Sequence, residues 1–310
     1  MATLSPCVGL CQLDSSLGLC TGCARSGAEI GAWQDASPAV LARVWADLPR
    51  RRVRLGIGLH RLNWSTEQIV DFVLGSIRVS EGAWVLGGFG AFAPFTVGRD
   101  EACAVDRDGA TITAVNTRGA IRFEIHDRVR ALSLGGDPAD PTQAVIILAV
   151  PRSRNNPRPN ADLTTLGADR DAIRPTDRLD RLYDLGANSE AGACCVRTAS
   201  PDLTTELDRQ TGRNWTQLSA ATRDWPIDQT AARVVVSAVG RSEAFTSIAP
   251  HGDLTAPGSW TRLFPDFLAL GRETPPGIDV PNSFVPCAIY DPGLGQVQLA
   301  ASSVDGRINR

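Results

Sequence analysis

The chain has 310 residues, a net charge of −3, 21% charged and 43% hydrophobic residues, the composition of a globular protein long enough to bury a core without covalent help. All 31 basic residues are arginine, so a Schiff-base lysine, a P-loop lysine and a kinase lysine are excluded whatever the fold. No polybasic footprint points to nucleic acid, and the three histidines, His60, His126 and His251, are too few to favour imidazole-built sites.

The opening MATLSPCVGL lacks a charged stretch followed by a long apolar run, so no secretory signal and a cytoplasmic location are expected. Ser26 and Glu29 form a capping box for a short helix with Ile30 and Trp33. Ser37-Pro38 opens a second helix, with Val40, Leu41, Val44, Trp45 and Leu48 on one stripe and Pro49 as its stop. The run Arg50 to Arg54 reads as a solvated boundary. Ser65 and Gln68 then cap a third helix whose apolar face is Ile69, Phe72, Val73 and Ile77.

Strand patterns follow. Ala83 to Phe95 is apolar and Gly-rich, and Ala102 to Val105, Thr111 to Val115 and Ile121 to Ile125 are separated by hairpin turns at Asp106–Gly109 and Thr117–Gly119. Val129 to Leu134 and Ala144 to Val150 extend the set, and Pro151 to Asn160 is a loop. Apolar stretches here are too short or broken to span a bilayer. Thr176-Asp177 is expected to open a helix through Leu179, Leu182 and Tyr183, Ala193 to Ala199 to be a strand, and Ser200-Pro201 to open a helix ending at Gly212. Arg233 to Val239 and Ala244 to Ile248 predict a hairpin around Gly240, Ser259 to Leu270 a helix, and Phe284 to Tyr290 with Gln296 to Ala300 a closing strand pair. No regular strand-helix alternation and no internal repeat is present, which argues against a doubly wound sheet.

The chemistry is concentrated at Cys7-x3-Cys11-x8-Cys20-x2-Cys23. Two short bites bring four thiolates to the corners of a tetrahedron. Gly9 and Gly22 lie inside the bites, where glycine permits tight turns and amides aimed at sulfur, while Pro6 and Gly18 stiffen and relax the approaches. Clustered cysteines in a reducing compartment hold metal more often than they form disulfides. Spacing leaves the element open: four-cysteine zinc sites usually join two x2 bites, and iron–sulfur clusters accept irregular spacings.

Ser-Pro-Cys7-Val-Gly-Leu-Cys11, Leu-Cys20-Thr-Gly-Cys23-Ala-Arg25, Glu29-Ile30, Trp33, Leu41-Ala-Arg and Leu48-Pro-Arg50 resemble the bacterial domain of unknown function 1289, over residues 5 to about 52. That family is labelled a predicted iron–sulfur protein, so the resemblance implies Cys7, Cys11, Cys20 and Cys23 as ligands and an iron–sulfur cluster as the cofactor, with zinc as the alternative. From about Ser80 the chain resembles an uncharacterised proteobacterial domain, through Gly90-Ala-Phe-Ala93, Arg181-Leu-Tyr-Asp-Leu-Gly186 and Cys195-Val-Arg-Thr-Ala199. Histidines of a His-Thr-His run in that pattern fall at Trp260 and Arg262, and another falls near Thr274, so a metal site built on them is closed to this chain.

Elsewhere Cys103, Cys194, Cys195 and Cys287 read as structural thiols, with Cys194 and Cys195 on opposite faces of one strand. His126 or His251 is available to a catalytic cysteine only if the fold brings them together. Gly87 to Gly90 lacks the spacing of a phosphate cradle, and Arg152, Arg154 and Arg158 on one loop suit either a small anionic ligand or bare solubility.

The fold expected is α+β: a cysteine knuckle with two short helices over 1–54, then a mainly antiparallel-sheet domain with flanking helices over 55–310. The functions expected are an iron–sulfur protein in electron transfer, sensing or delivery, a structural-zinc adaptor, or an enzyme with its site in the second domain. A protein partner or a small anionic ligand is expected; nucleic acid and membrane are not.

Overall fold

The computed structural model describes residues 4–79, 82–87, 95–98, 101–135, 143–153, 160–218, 231–245, 273–274 and 277–293. The cysteine segment runs as turns into α1 (Gly27–Gly31), whose capping box is complete: Ser26 Oγ accepts from Glu29 N, and the Glu29 carboxylate accepts from Ser26 N. Helix α2 (Pro38–Leu55) starts at the Ser37 cap as its sequence requires, but it does not stop at Pro49. A proline inside a helix costs about 3 kcal/mol. Here the turns beyond it are anchored, because Arg51 grips both Glu29 oxygens at 2.6 and 3.0 Å and Asp47 at 3.3 Å. Arg52 meanwhile continues the buried stripe of Leu41, Val44 and Leu48. The helix ends on Gly56, at φ 65° in the left-handed region. The run Arg50 to Arg54 is therefore helix rather than linker.

A short strand, β1 (Leu59–Arg61), follows and then α3 (Thr66–Val79), entered through reciprocal Ser65–Gln68 capping bonds of 2.9 and 3.2 Å. Next come β2 (Ala83–Leu86), β3 (Ala104–Asp108), β4 (Thr111–Val115), β5 (Gly119–Glu124), β6 (Arg130–Leu134), β7 (Val145–Pro151) and β8 (Thr164–Gly167). The remainder are β9 (Arg181–Asp184), β10 (Ala193–Thr198), α4 (Pro201–Gln210), β11 (Ala232–Ser237), β12 (Gly240–Ala244) and β13 (Phe284–Asp291).

The helix expected from Thr176 is corrected to a turn and a strand. Asp177 N donates to Asp180 and Leu179 N to Asp177, closing a turn, and Arg181–Asp184 pairs with β10. Leu182 and Tyr183 then point to opposite faces, which a period of two demands and a helix would not give. The β11–β12 hairpin turns at Ala238-Val239, so its second strand begins at Gly240 rather than Ala244. The helix expected at 259–270 and the strand expected at 296–300 lie outside the described residues.

All the described pairings are antiparallel, in a five-stranded sheet ordered β1-β6-β7-β13-β2 and an eight-stranded sheet ordered β3-β4-β5-β12-β11-β10-β9-β8. The architecture is α+β, with a small helical N-terminal region and most strands in the larger part. One apolar core joins the sheets and takes Ile69, Val73 and Ile77 from α3 and Leu203 and Leu207 from α4. Strands β7 and β13 are buried along nearly their whole length, which is why they read as continuous hydrophobic runs. Rings lock the sheets and α3 together: Trp84 on β2 meets Phe123 on β5 at 4.8 Å and Tyr290 on β13 at 5.4 Å, and Phe72 on α3 meets Tyr290 at 5.5 Å. No helix among the described residues is long and apolar enough to cross a membrane.

Candidate metal centre

The x8 spacer is a miniature hairpin. Asp14 N donates to Leu19 O at 2.8 Å and Thr21 N to Gln12 O at 2.8 Å, while the Asp14 carboxylate accepts from the amides of Ser16 and Leu17. An ordinary Asx turn thus folds the x8 loop back and brings the second bite beside the first. The x2 bite is closed by Ala24 N donating to Cys20 O at 2.8 Å and Cys20 N donating to Arg25 O at 2.7 Å. Ala24 takes the left-handed conformation, φ 62°, and is fully buried, a strained choice for a residue with a Cβ.

Gly22 is required for approach rather than for its dihedral: a Cβ there would stand 2.6 Å from Leu10 O and 2.8 Å from the Leu10 Cβ. Glycine at 22 is what lets the two bites touch. The first bite is seated on the larger domain. Val8 between its cysteines belongs to the main core, and Ser283, just before β13, donates from Oγ to Val8 O at 2.6 Å.

The four thiols fall into two neighbouring pairs, Cys7 with Cys11 and Cys20 with Cys23, with Cys20 close enough to Cys11 to act on it electrostatically. Among the described residues no three of His, Cys, Asp or Glu stand together at metal-holding geometry, so binding a metal requires the pairs to close on it. Cys20 and Cys23 are buried, Cys7 is half-buried and Cys11 is exposed, with Leu10 and Leu13 exposed beside it. Gly9 N donates to Cys7 Sγ at 3.3 Å. Burial works against ionisation of Cys20, but the amides of Gly22, Cys23 and Gln12 and the Cys23 thiol outweigh it and lower the group below its ordinary value. Cys11 is raised, chiefly by the neighbouring Cys7, and Cys23 is raised by burial against the opposing influence of Arg25.

Three arginines complete the surroundings, and none was singled out as a site residue in the sequence. Arg25, 3% exposed, donates from Nε to Cys23 Sγ at 3.4 Å and stacks on Trp33. Arg52 comes from α2 and Arg61 from β1; both are buried, and burial lowers each to about 10, opposed by Cys23 and Cys7 respectively. Both remain cationic near neutrality. The available signal was an arginine on an apolar stripe: Arg52 follows Leu41, Val44 and Leu48 in helical register. The donor chemistry of this region fits a soft metal or cluster, with four thiols, amides directed at sulfur and cations to balance thiolate charge.

The other candidates do not join this group. Cys194 and Cys195 lie on opposite faces of β10, the first in the main core and the second in a small cluster with Leu182, Ala232 and Val234. Burial raises both thiols, and it raises Cys287 in β13 to about 12. His126 is exposed and bonded to Ala238 O, and Arg152 is held by Glu190, Glu273 and the carbonyls of Asn282 and Phe284. Gly88 to Gly90, Arg154, Arg158 and His251 lie outside the described residues.

Residues 5–52 match the model of a protein of unknown function, DUF1289, and residues 68–299 match that of a family of unknown function, DUF6925. No curated protein and no solved structure matches the chain. The match to DUF1289 together with the clustered cysteines is consistent with a metal-binding module. The chain belongs to the DUF6925 family and carries a DUF1289 module fused at its N-terminal side.

Proposed function

We propose that the protein binds metal at Cys7, Cys11, Cys20 and Cys23, and that the bound group is an iron–sulfur cluster serving electron transfer, sensing or delivery in the cytoplasm. On this reading the larger domain binds a protein partner or a small anionic ligand. The observation that carries it is two neighbouring pairs of thiols under amide and guanidinium donors, with Cys20 held below its ordinary pKa. Spacing leaves iron–sulfur and zinc both open, and the match to DUF1289, a family labelled a predicted iron–sulfur protein, tilts the reading to a cluster. When bound, such a cluster supplies one-electron chemistry. The chain's own part is to bring thiolates together, to donate N–H groups to sulfur, and to leave the Cys11 edge open for a partner's approach.

Protein purified without oxygen is expected to be brown and to contain iron and labile sulfide. A colourless protein with a single zinc would establish the rival reading, a structural-zinc adaptor. Replacing both Cys20→Ser and Cys23→Ser is expected to abolish metal retention while the sandwich still folds, as read by metal analysis and near-UV circular dichroism. Metal retained by that variant would sink the ligand assignment.

A further inference from the structure

Arginines taken out of water normally bring carboxylates with them, because an unpaired buried charge is strongly destabilising. The sandwich obeys this rule. On the outer face of the eight-stranded sheet, Arg197 and Arg241 are 3% exposed and share Asp169 and Glu243 between them. Arg52 and Arg61, 7% and 8% exposed, break it. Neither has a carboxylate within ion-pair distance among the described residues, and Arg52 Nε and Nη2 and Arg61 Nε are buried without any hydrogen-bond partner. The opposite charge available to Arg52 is Cys23, and to Arg61 it is Cys7. Arg52 therefore joins Arg25 on the side of the second bite, and Arg61 serves the first.

Four thiolates around a dipositive metal or cluster core leave a dianion, four less two. Arg25 already donates to Cys23 Sγ, and Arg52 and Arg61 add two buried cations that no carboxylate among the described residues pairs. We propose that Arg52 and Arg61 are the built-in counter-charges of the four-cysteine site, one from the cysteine module and one from the first strand of the five-stranded sheet. This inference rests on the metal-binding reading above. It extends that reading by making the larger domain part of the site: Arg61 lies outside the matched residues 5–52 and 68–299, on the segment that joins them. The metal-free protein then holds two uncompensated cations, and loading compensates them.

The test uses the full chain, reduced and metal-free, with zinc alone as the probe and a chromophoric chelator as competitor. The variants are Arg52→Met, Arg61→Met, the pair, and Arg52→Lys with Arg61→Lys. Methionine keeps the apolar stem and removes the charge. Each Met variant is expected to bind zinc about 10- to 100-fold more weakly, while its metal-free form melts at the same or a higher temperature. The Lys variant is expected to stay closer to wild type in affinity than the paired Met variant. A purely structural role predicts the opposite pairing, a less stable metal-free protein with unchanged affinity, and that result overturns the proposal, as does a metal-free Met variant that fails to fold. Failure of the wild type to take up zinc or iron would instead overturn the metal reading itself, before any arginine is changed.

Discussion

Four cysteines lie on turns between residues 7 and 23, and four lie in or beside strands of the sandwich at 103, 194, 195 and 287. Cys20 and Cys194 are both fully buried, yet burial alone governs the outcome only for Cys194, which is pushed well above its ordinary pKa. In a strand the neighbouring amides are committed to the ladder, as in the Cys194–Val235 pairing, and few remain for sulfur. On a turn such as Cys20-Thr-Gly-Cys23, successive amides are uncommitted and converge on it. Depth does not separate Cys20 from Cys194; the fate of the neighbouring backbone N–H groups does.

The largest effect that follows is in thiol reactivity. In the reduced, metal-free protein an alkylating reagent is expected to modify Cys11 first. Cys194, Cys195 and Cys287 are expected to react at least about a thousandfold more slowly, since they need opening of a core whose stability is typically about 5–15 kcal/mol. Mass spectrometry of timed digests reads the order, and early labelling at Cys194 would break the comparison.

A smaller effect is expected in the pH dependence of folding. His60 on β1 is buried, and burial together with the charge of Arg52 lowers its pKa from 6.5 to about 4. In the unfolded chain it takes up a proton below pH 6.5, whereas the folded protein resists until about pH 4. Stability is therefore complete above pH 6.5 and falls as pH drops through that window, by about 3 kcal/mol in all. Denaturant melts of His60→Gln against wild type are expected to show a flatter profile between pH 6.5 and 4. An unchanged slope would place the titration elsewhere.

The smallest effect sharpens the seam between the regions. Ser283→Ala removes the 2.6 Å bond to Val8 O and is expected to lower stability by about 1 kcal/mol. Urea unfolding measures this.

How much of this was legible in the sequence differs between the regions for the same physical reason. Signals carried by side chains close together in sequence could be read. The Ser26 and Ser65 capping boxes, the hairpin strand Thr111–Val115 and the opposite faces of Cys194 and Cys195 all stand in the structure. Signals that depend on distant partners could not. Pro49 is carried through α2 by Arg51 and Glu29, which are 22 residues apart. Leu179 and Leu182 mimic a helical spacing, though Leu179 is 73% exposed and Leu182 belongs to a strand face. Strand β1 has three residues, too few for alternation to show. At the cysteine site the spacing named the four thiols, but Arg61 reaches it through β1 pairing with β6, with His60 opposite Ser133. No local pattern announces that.

Val8 turns the seam between the two matched families into a design constraint. It sits between two cysteines of one module and is 2% exposed inside the core of the other. Expressed alone, residues 55–310 would present an empty apolar socket to water and uncover Ser283 and the start of β13, which Val8 and Gly9 now cover, a surface prone to self-association. The two families are separable on paper at the level of their sequence models, but in this chain the smaller one is also a stopper for the larger, and a dissected fragment is expected to be stickier than the whole.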